Sequence, residues 1–289
     1  MNIFEAVFVW SFLFLDVVIF AVYLAGMLFR KGNWTFYAWG GFLGTFALQT
    51  AAIASRWIAS GHPPVQGNWE NALLGAWFIS LVFVVGSLKF EKLRFITPFI
   101  AAVVLLVIGI GLIKGGTQME VLTPPYRSNW LWIHVTFAFL ALASFVAAAA
   151  LAGNYLWKIC KAEQVPAVTE TTETAKSPEA TEVSRPEWNP AETERLIAAF
   201  LGYGFISQTL DIASGAIWAA NLWGAYWSWD PIETASFICW LAYGVVLHLR
   251  LTLGWKGKRF AWLAVLALLT SIISFWGLGT GGGIHTPLM

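Results

Sequence analysis

The chain has 289 residues, 58% of them hydrophobic and only 11% charged. With a mean hydropathy of +0.67 it lacks the polar surface to coat a water-soluble globule of that size, which excludes a soluble enzyme or binding domain. A formal net charge of +1 supplies no electrostatic footprint for nucleic acid or a strongly polarised partner.

In chain order, apolar stretches occupy 5–28, 36–58, 71–88, 95–113, 131–157, 196–219, 232–254 and 260–278. Most are long enough to cross a hydrocarbon core of ~30 Å as helices. Small and large apolar residues are mixed around them without the period of two that a barrel requires. The fold expected is all-α, a polytopic helix bundle in the lipid bilayer with about eight transmembrane helices. The first stretch has no basic residues before it and carries Glu5 and Asp16, so it reads as a retained helix rather than a cleaved signal.

Arg30 and Lys31 follow the first stretch, Lys89, Lys92 and Arg94 the third, Lys158 and Lys161 the fifth, and Arg250, Lys256, Lys258 and Arg259 the seventh. The positive-inside rule makes those loops cytoplasmic and turns both termini and the loops at 59–70, 114–130 and 223–231 outward. Only Arg56, Lys114 and Arg127 fall on the outward side. Residues 158–194 form a linker expected to be disordered, Pro-, Thr- and Ala-rich with eight glutamates between 162 and 194. It divides a five-span part, 1–157, from a three-span part, 195–289. Cys160 and Cys239 lie on different levels and no Cys-x-x-Cys occurs, excluding a dithiol motif and a haem covalently attached to this chain by the usual sequence.

The densest chemistry is Trp223-Gly-Ala-Tyr-Trp227-Ser-Trp229-Asp230-Pro231-Ile-Glu233. Broad π-faces with polar tips at a membrane surface suit a large planar ligand, iron porphyrin above all. The competing explanation is an aromatic interfacial belt. Trp223, Trp227, Trp229 and Asp230 are candidate cofactor-binding residues, with Asp230 and Glu233 shaping the loop or accepting indole hydrogen bonds rather than acting as acid or base.

Four histidines are present. His134 begins the fifth stretch and His285 lies in the Gly-rich tail, both on the side of the Trp-rich loop, where two imidazoles can ligate haem iron from opposite faces. His248 lies about 24 Å into the seventh helix. It is either an interfacial residue beside Arg250 or the ligand of a second, intramembrane haem iron whose other ligand must come from elsewhere. His62, in Ser60-Gly-His62-Pro-Pro, is a loop residue or a site residue. The sixth stretch presents Gly204, Ser207, Gln208, Asp211, Ser214 and Gly215 on one face: close packing explains the small residues, while Asp211 calls for a path or a polar partner on a neighbouring helix. Arg56 and Arg127 are candidate partners for haem propionates or for lipid head groups.

These features resemble the CcsA (ResC) family of cytochrome c biogenesis proteins among the WWD-domain haem handlers. The resemblance is carried by Trp223-Gly-x-x-Trp227-x-Trp229-Asp230-Pro231-x-Glu233-Thr234, Gly61-His62-Pro, Asn68-x-Glu70, Trp132-x-x-His134-Val, Ser214-Gly-Ala-x-Trp218-Ala, Leu247-His248-Leu-Arg250 and Gly-Ile-His285, over about residues 55–289. It departs where Pro-Pro follows Gly61-His62 and where Trp69 replaces a smaller residue or a tyrosine. The resemblance implies haem b as substrate and bound cofactor, and its attachment to an apocytochrome c Cys-x-x-Cys-His segment outside a bacterial cytoplasmic or thylakoid membrane. It implies iron ligation by His134 and His285, and by His248 during haem passage. The other intramembrane ligand would come from a CcsB (ResB) partner, with which the chain would act as a haem-lyase-type cytochrome c synthase. Haem export without bond formation and membrane electron transfer are the alternatives.

Overall fold

The computed structural model describes residues 1–29, 34–119, 121–163 and 189–277. Eight long helices follow the eight apolar stretches: α1 Ile3–Phe29, α2 Trp34–Ser60, α3 Gly67–Lys89, α4 Thr97–Lys114, α5 Asn129–Glu163, α6 Pro190–Trp223, α7 Pro231–Leu251 and α8 Gly257–Ile272. A 3-10 turn, Glu91–Ile96, leads into α4, and a π-helical turn, Ile273–Gly277, finishes α8. There is no strand among the described residues. Seven of the helices are long and apolar enough to cross a membrane, the second being the exception. Helix α2 has the length, but Thr45, Gln49, Thr50, Ser55 and Arg56 make it more polar. The protein is an integral membrane helix bundle.

Helix α5 is the axis of the bundle. Every residue from 141 to 152 is buried, the pattern of a helix apolar all round and enclosed by others. It packs most extensively on α6, and also on α8 and α3. The small face of α6 lets the two backbones close in: a Cβ at Gly204 would stand 2.3 Å from the Phe145 ring. One core runs from Val9 in α1 through Phe42, Trp69, Ile100, Phe145 and Ile197 to Phe260 in α8, so the five-span and three-span parts share a single interior.

Up-and-down connectivity leaves two ends. The Trp end carries the N-terminus, the loops at 61–66 and 115–128, and the Trp-rich loop; the basic end carries the described lysines and arginines at the ends of α3, α5 and α7. The linker expected at 158–194 is shorter on both sides, because 158–163 completes α5 and 190–194 begins α6; its middle, 164–188, lies outside the described residues. Asn189 caps α6, its side chain accepting from the Ala191 and Glu192 amides. Glu194 ties the basic end together, accepting from Tyr155 Oη at 2.7 Å, Arg250 at 2.8 Å and the Gly257 amide at 3.0 Å. Helices α5 to α8 thus meet on one carboxylate.

The Trp end has its own clamp. Arg56, 1% exposed, donates to Glu70 at 2.7 Å, to Glu5 at 3.0 Å and to the Thr117 and Gln118 carbonyls at 3.2 and 2.9 Å. Trp69 Nε1 also donates to Glu5, at 2.8 Å, and the N-terminal ammonium reaches the Thr117 carbonyl. Arg56 as a propionate partner is corrected by this geometry: its guanidinium is spent inside the protein, since a buried charge is tolerable only when paired.

Candidate functional site

The Trp-rich loop is fixed at both ends by its own sequence. Gly224 leaves α6 in the left-handed region at φ 79°, its N–H bonding the Ala220 carbonyl, the conformation glycine supplies at a helix C-terminus. At the other end Asp230 caps α7 by accepting from the Ile232 amide at 2.9 Å, with Pro231 in the first turn. Glu233 reaches back to the Ser228 amide at 2.8 Å and the Asp230 amide at 3.3 Å, completing a capping box. Trp229 holds φ 57°, the one positive value outside glycine among the described residues, so the turn is bent against its side chain's preference.

The three indoles do not make one flat platform. Trp227 meets Trp229 edge to face, the planes at 86° and the centroids 5.7 Å apart, as quadrupolar rings prefer. Trp223 leans at 70° on Trp218, within a satellite cluster with Val65, Tyr126 and Leu131. Trp229 is 68% exposed. Of the three, Trp227 lines the cavity beneath the loop, with Tyr226 beside it. The Asp230 carboxylate serves the helix cap.

That cavity has two lobes, of ≈ 900 and ≈ 1020 Å³ counted with their open mouths, which share Asn71, His134, Val135, Asp211, Ile232 and Ser236. The upper lobe adds Tyr126, Trp218, Tyr226 and Trp227. The lower adds Asn68, Lys114, Gln208, Ser274 and Phe275. The walls are mainly apolar with a few convergent polar groups, the lining expected of a ligand cleft.

His134 stands where the lobes meet. Its Nδ1 is 3.0 Å from the Asp211 backbone carbonyl and 2.7 Å from Asp211 Oδ1. The ring lies nearly parallel to Trp218, at 13° and 6.2 Å between centroids. Nε2 has no hydrogen-bond partner among the described residues, and the side chain, 31% exposed, lines both lobes. The polar partner that Asp211 calls for on a neighbouring helix is therefore His134.

The other histidines lie apart. His62 is buried, its Nδ1 2.9 Å from the Pro63 carbonyl, in a loop pocket with Arg127 away from the central cavity. His248 is exposed on α7 near the basic end, with Nδ1 3.3 Å from Thr252 Oγ1. His285 lies outside the described residues, but the π-helical turn from which its segment continues puts Ser274 and Phe275 into the cavity wall. Arg127 donates to the Leu122 carbonyl at 3.3 Å and does not line the central cavity. Asp16 is buried against Thr45 in the α1–α2 interface, remote from the loop. Cys160 and Cys239 are both free thiols.

Asn71, Ser236 and Ser274 are cavity residues that the sequence reading did not single out, and Lys114, Asn68 and Tyr226 entered it only as a loop charge, a motif position and a member of the Trp-rich loop. Asn68 and Asn71, three apart on the first turns of α3, share a helix face distinct from that of the buried Glu70. That spacing was legible. Lys114 is an unremarkable lysine at a helix end until α4 is laid beside α3.

A family model described as Cytochrome C assembly protein matches residues 67–285, which include His134, the Trp-rich loop, His248 and His285. A protein named Cytochrome c biogenesis protein CcsA from Guillardia theta is 31% identical over 275 residues, 91% of this chain and 90% of that protein. Proteins of the same name from Prochlorococcus marinus subsp. pastoris and Synechococcus sp. (strain CC9902) are 32% and 33% identical, covering 81% and 83% of this chain and 77% and 82% of their own lengths. Among solved structures, Cytochrome c Heme Lyase CcmF superposes with a TM-score of 0.65 at 17% identity, over 96% of this chain and 48% of that one. The chain spans about half the length of that structure, and the likeness is one of fold.

Proposed function

The chain belongs to the cytochrome c assembly protein family and acts in cytochrome c biogenesis, and on that premise we propose that it binds haem b beneath the Trp-rich loop and presents it to apocytochrome c. The observation that carries the reading is His134, whose Nδ1 is engaged by Asp211 while Nε2 stays open beside a cavity walled by Trp227 and Tyr226. A neutral imidazole with one nitrogen hydrogen-bonded and the other open is a ready iron ligand.

In this reading His134 and His285 would be the residues that hold the haem iron. The eight residues that follow Gly277 and end at His285 can span ~26–29 Å, ample reach for a tail that starts at the cavity wall. Lys114, Asn68 and Asn71 offer a cation and amides to the propionates. Two thiols of an incoming Cys-x-x-Cys-His segment add across the two vinyl groups, each forming a C–S and a C–H bond with no leaving group, while its histidine replaces one ligand. No nucleophile is required of this chain. Its contribution is orientation, worth on the order of 7–11 kcal/mol when reacting groups are well placed.

His248 belongs to a second site. The other described histidines, His62 and His134, sit at the opposite end, and His248 faces outward along the stripe of Ile238, Leu241 and Val245. An outward-facing intramembrane ligand supports a second ligand supplied by a CcsB-like partner. The basic end is then cytoplasmic, in a bacterial cytoplasmic or thylakoid membrane, and the complex is a haem-lyase-type synthase.

The test is to purify the chain with its CcsB-like partner and compare His134→Ala, His285→Ala and His248→Ala. Loss or shift of the Soret band in the first two, with imidazole restoring a six-coordinate spectrum, is the expected outcome. Unchanged spectra and haem content in both would sink the Trp-end site. Covalent holocytochrome in a reconstituted reaction distinguishes synthase from exporter.

A further inference from the structure

Resting on that haem-site reading, we infer that Asp211 is the positioning residue for His134: it holds Nδ1, so that Nε2 is the nitrogen left for iron, and its carboxylate sets how strongly that nitrogen donates electrons.

One face of α6 does this through four residues at spacings of three and four. Gln208 Nε2 donates to Asp211 Oδ2 at 2.9 Å and fixes the carboxylate. Asp211, 4% exposed, brings Oδ1 to 2.7 Å and its backbone oxygen to 3.0 Å from Nδ1. Gly215 makes the room, since a Cβ there would stand 2.7 Å from Nδ1 and 3.0 Å from Cε1. Trp218 closes the face by lying parallel to the imidazole. The N–H is aligned with the backbone carbonyl, and the carboxylate flanks it.

A histidine satisfied by a carbonyl alone needs none of this. The buried carboxylate, held by an amide of its own and set against the imidazole edge, is the arrangement by which outer partners fix a ligand's tautomer and raise its basicity. Stronger donation favours ferric iron and lowers its potential. The inference also accounts for the polar character of the α6 face where packing against α5 would be served by small apolar residues.

The experiment uses the purified full chain with its partner, titrated with hemin and then poised through a spectroscopic redox titration. Asp211→Asn keeps size, the backbone carbonyl and one acceptor oxygen for Gln208, removes the charge, and puts an amide donor in place of the oxygen that flanks Nδ1. It is expected to weaken hemin binding about tenfold or more and to move the midpoint potential upward, with helical content unchanged. Gly215→Ala, which leaves the charge in place and crowds the ring, is expected to alter the low-spin spectrum and weaken binding as well. Asp211→Asn with wild-type affinity and potential overturns the inference, because the carbonyl alone then suffices. If Asp211→Asn fails to fold, Gly215→Ala decides: a wild-type spectrum and affinity in that variant overturns it. Full, unaltered haem binding in His134→Ala overturns the underlying site reading instead, and the inference with it.

Discussion

Arg56 and Trp227 illustrate at the residue scale how burial decides what a side chain can do. Arg56 looked like a surface cation for an anionic ligand, yet Glu5 and Glu70 enclose it. Removing one member of a buried ionic group leaves the others uncompensated, at a cost of about 3–5 kcal/mol. Arg56→Met should therefore lose that much stability by chemical denaturation in detergent, while the haem spectrum of the material that folds stays that of the wild type. The tryptophans divide in the same way. Trp227→Ala should weaken hemin binding more than Trp229→Ala, because Trp227 lines the cavity and Trp229 projects from the loop. Trp229→Gly should be neutral or stabilising by about 1 kcal/mol, since glycine adopts the left-handed region without penalty.

At the scale of elements, the Trp-rich loop is a short bridge between two well-made helix ends. Its Gly224 and Asp-Pro-x-Glu signals are local, so the turn was readable from sequence; the roles of its parts were not. From sequence Asp230 is a candidate cofactor-binding residue that shapes the loop or accepts an indole hydrogen bond, and the structure puts its carboxylate on the α7 cap. Asp230→Ala should cost about 0.5–2 kcal/mol and Asp230→Ser much less. Limited proteolysis between 224 and 230, faster in the alanine variant and near wild type in the serine variant, would check it. Helix α6 teaches the complementary lesson. The 3–4 spacing of its small and polar residues marked a packing face in advance, whereas the identity of the group packed there depended on α5 arriving alongside.

The whole molecule is a bundle with one basic end and one aromatic end. Their separation follows from hydropathy and charge, and the proposed orientation makes a direct prediction from a native residue. Cys160 is exposed near the basic end and Cys239 is buried. A membrane-impermeant maleimide should label Cys160 only after permeabilisation, and a Ser60→Cys variant should label in sealed cells. The reverse pattern would invert the topology. The five-span and three-span parts on either side of the linker pack around α5 into one interior. A shared core follows when a helix is apolar around its whole circumference and must be covered on every side.

Eight helices, the membrane class and the aromatic loop were written in the sequence, because hydropathy, helix caps and turn residues act over a few neighbouring positions. His134 and the Trp-rich loop were legible as parts. What only the tertiary structure decided is how the parts meet: that Asp211 faces His134, that Arg56 is neutralised, that Trp227 alone of the three loop indoles walls the cavity, and that Lys114 and Asn71 join it. Those contacts join residues far apart along the chain, and they exist because helix packing, constrained by Gly204 and Gly215 at close approach, sets which faces of α5 and α6 come together.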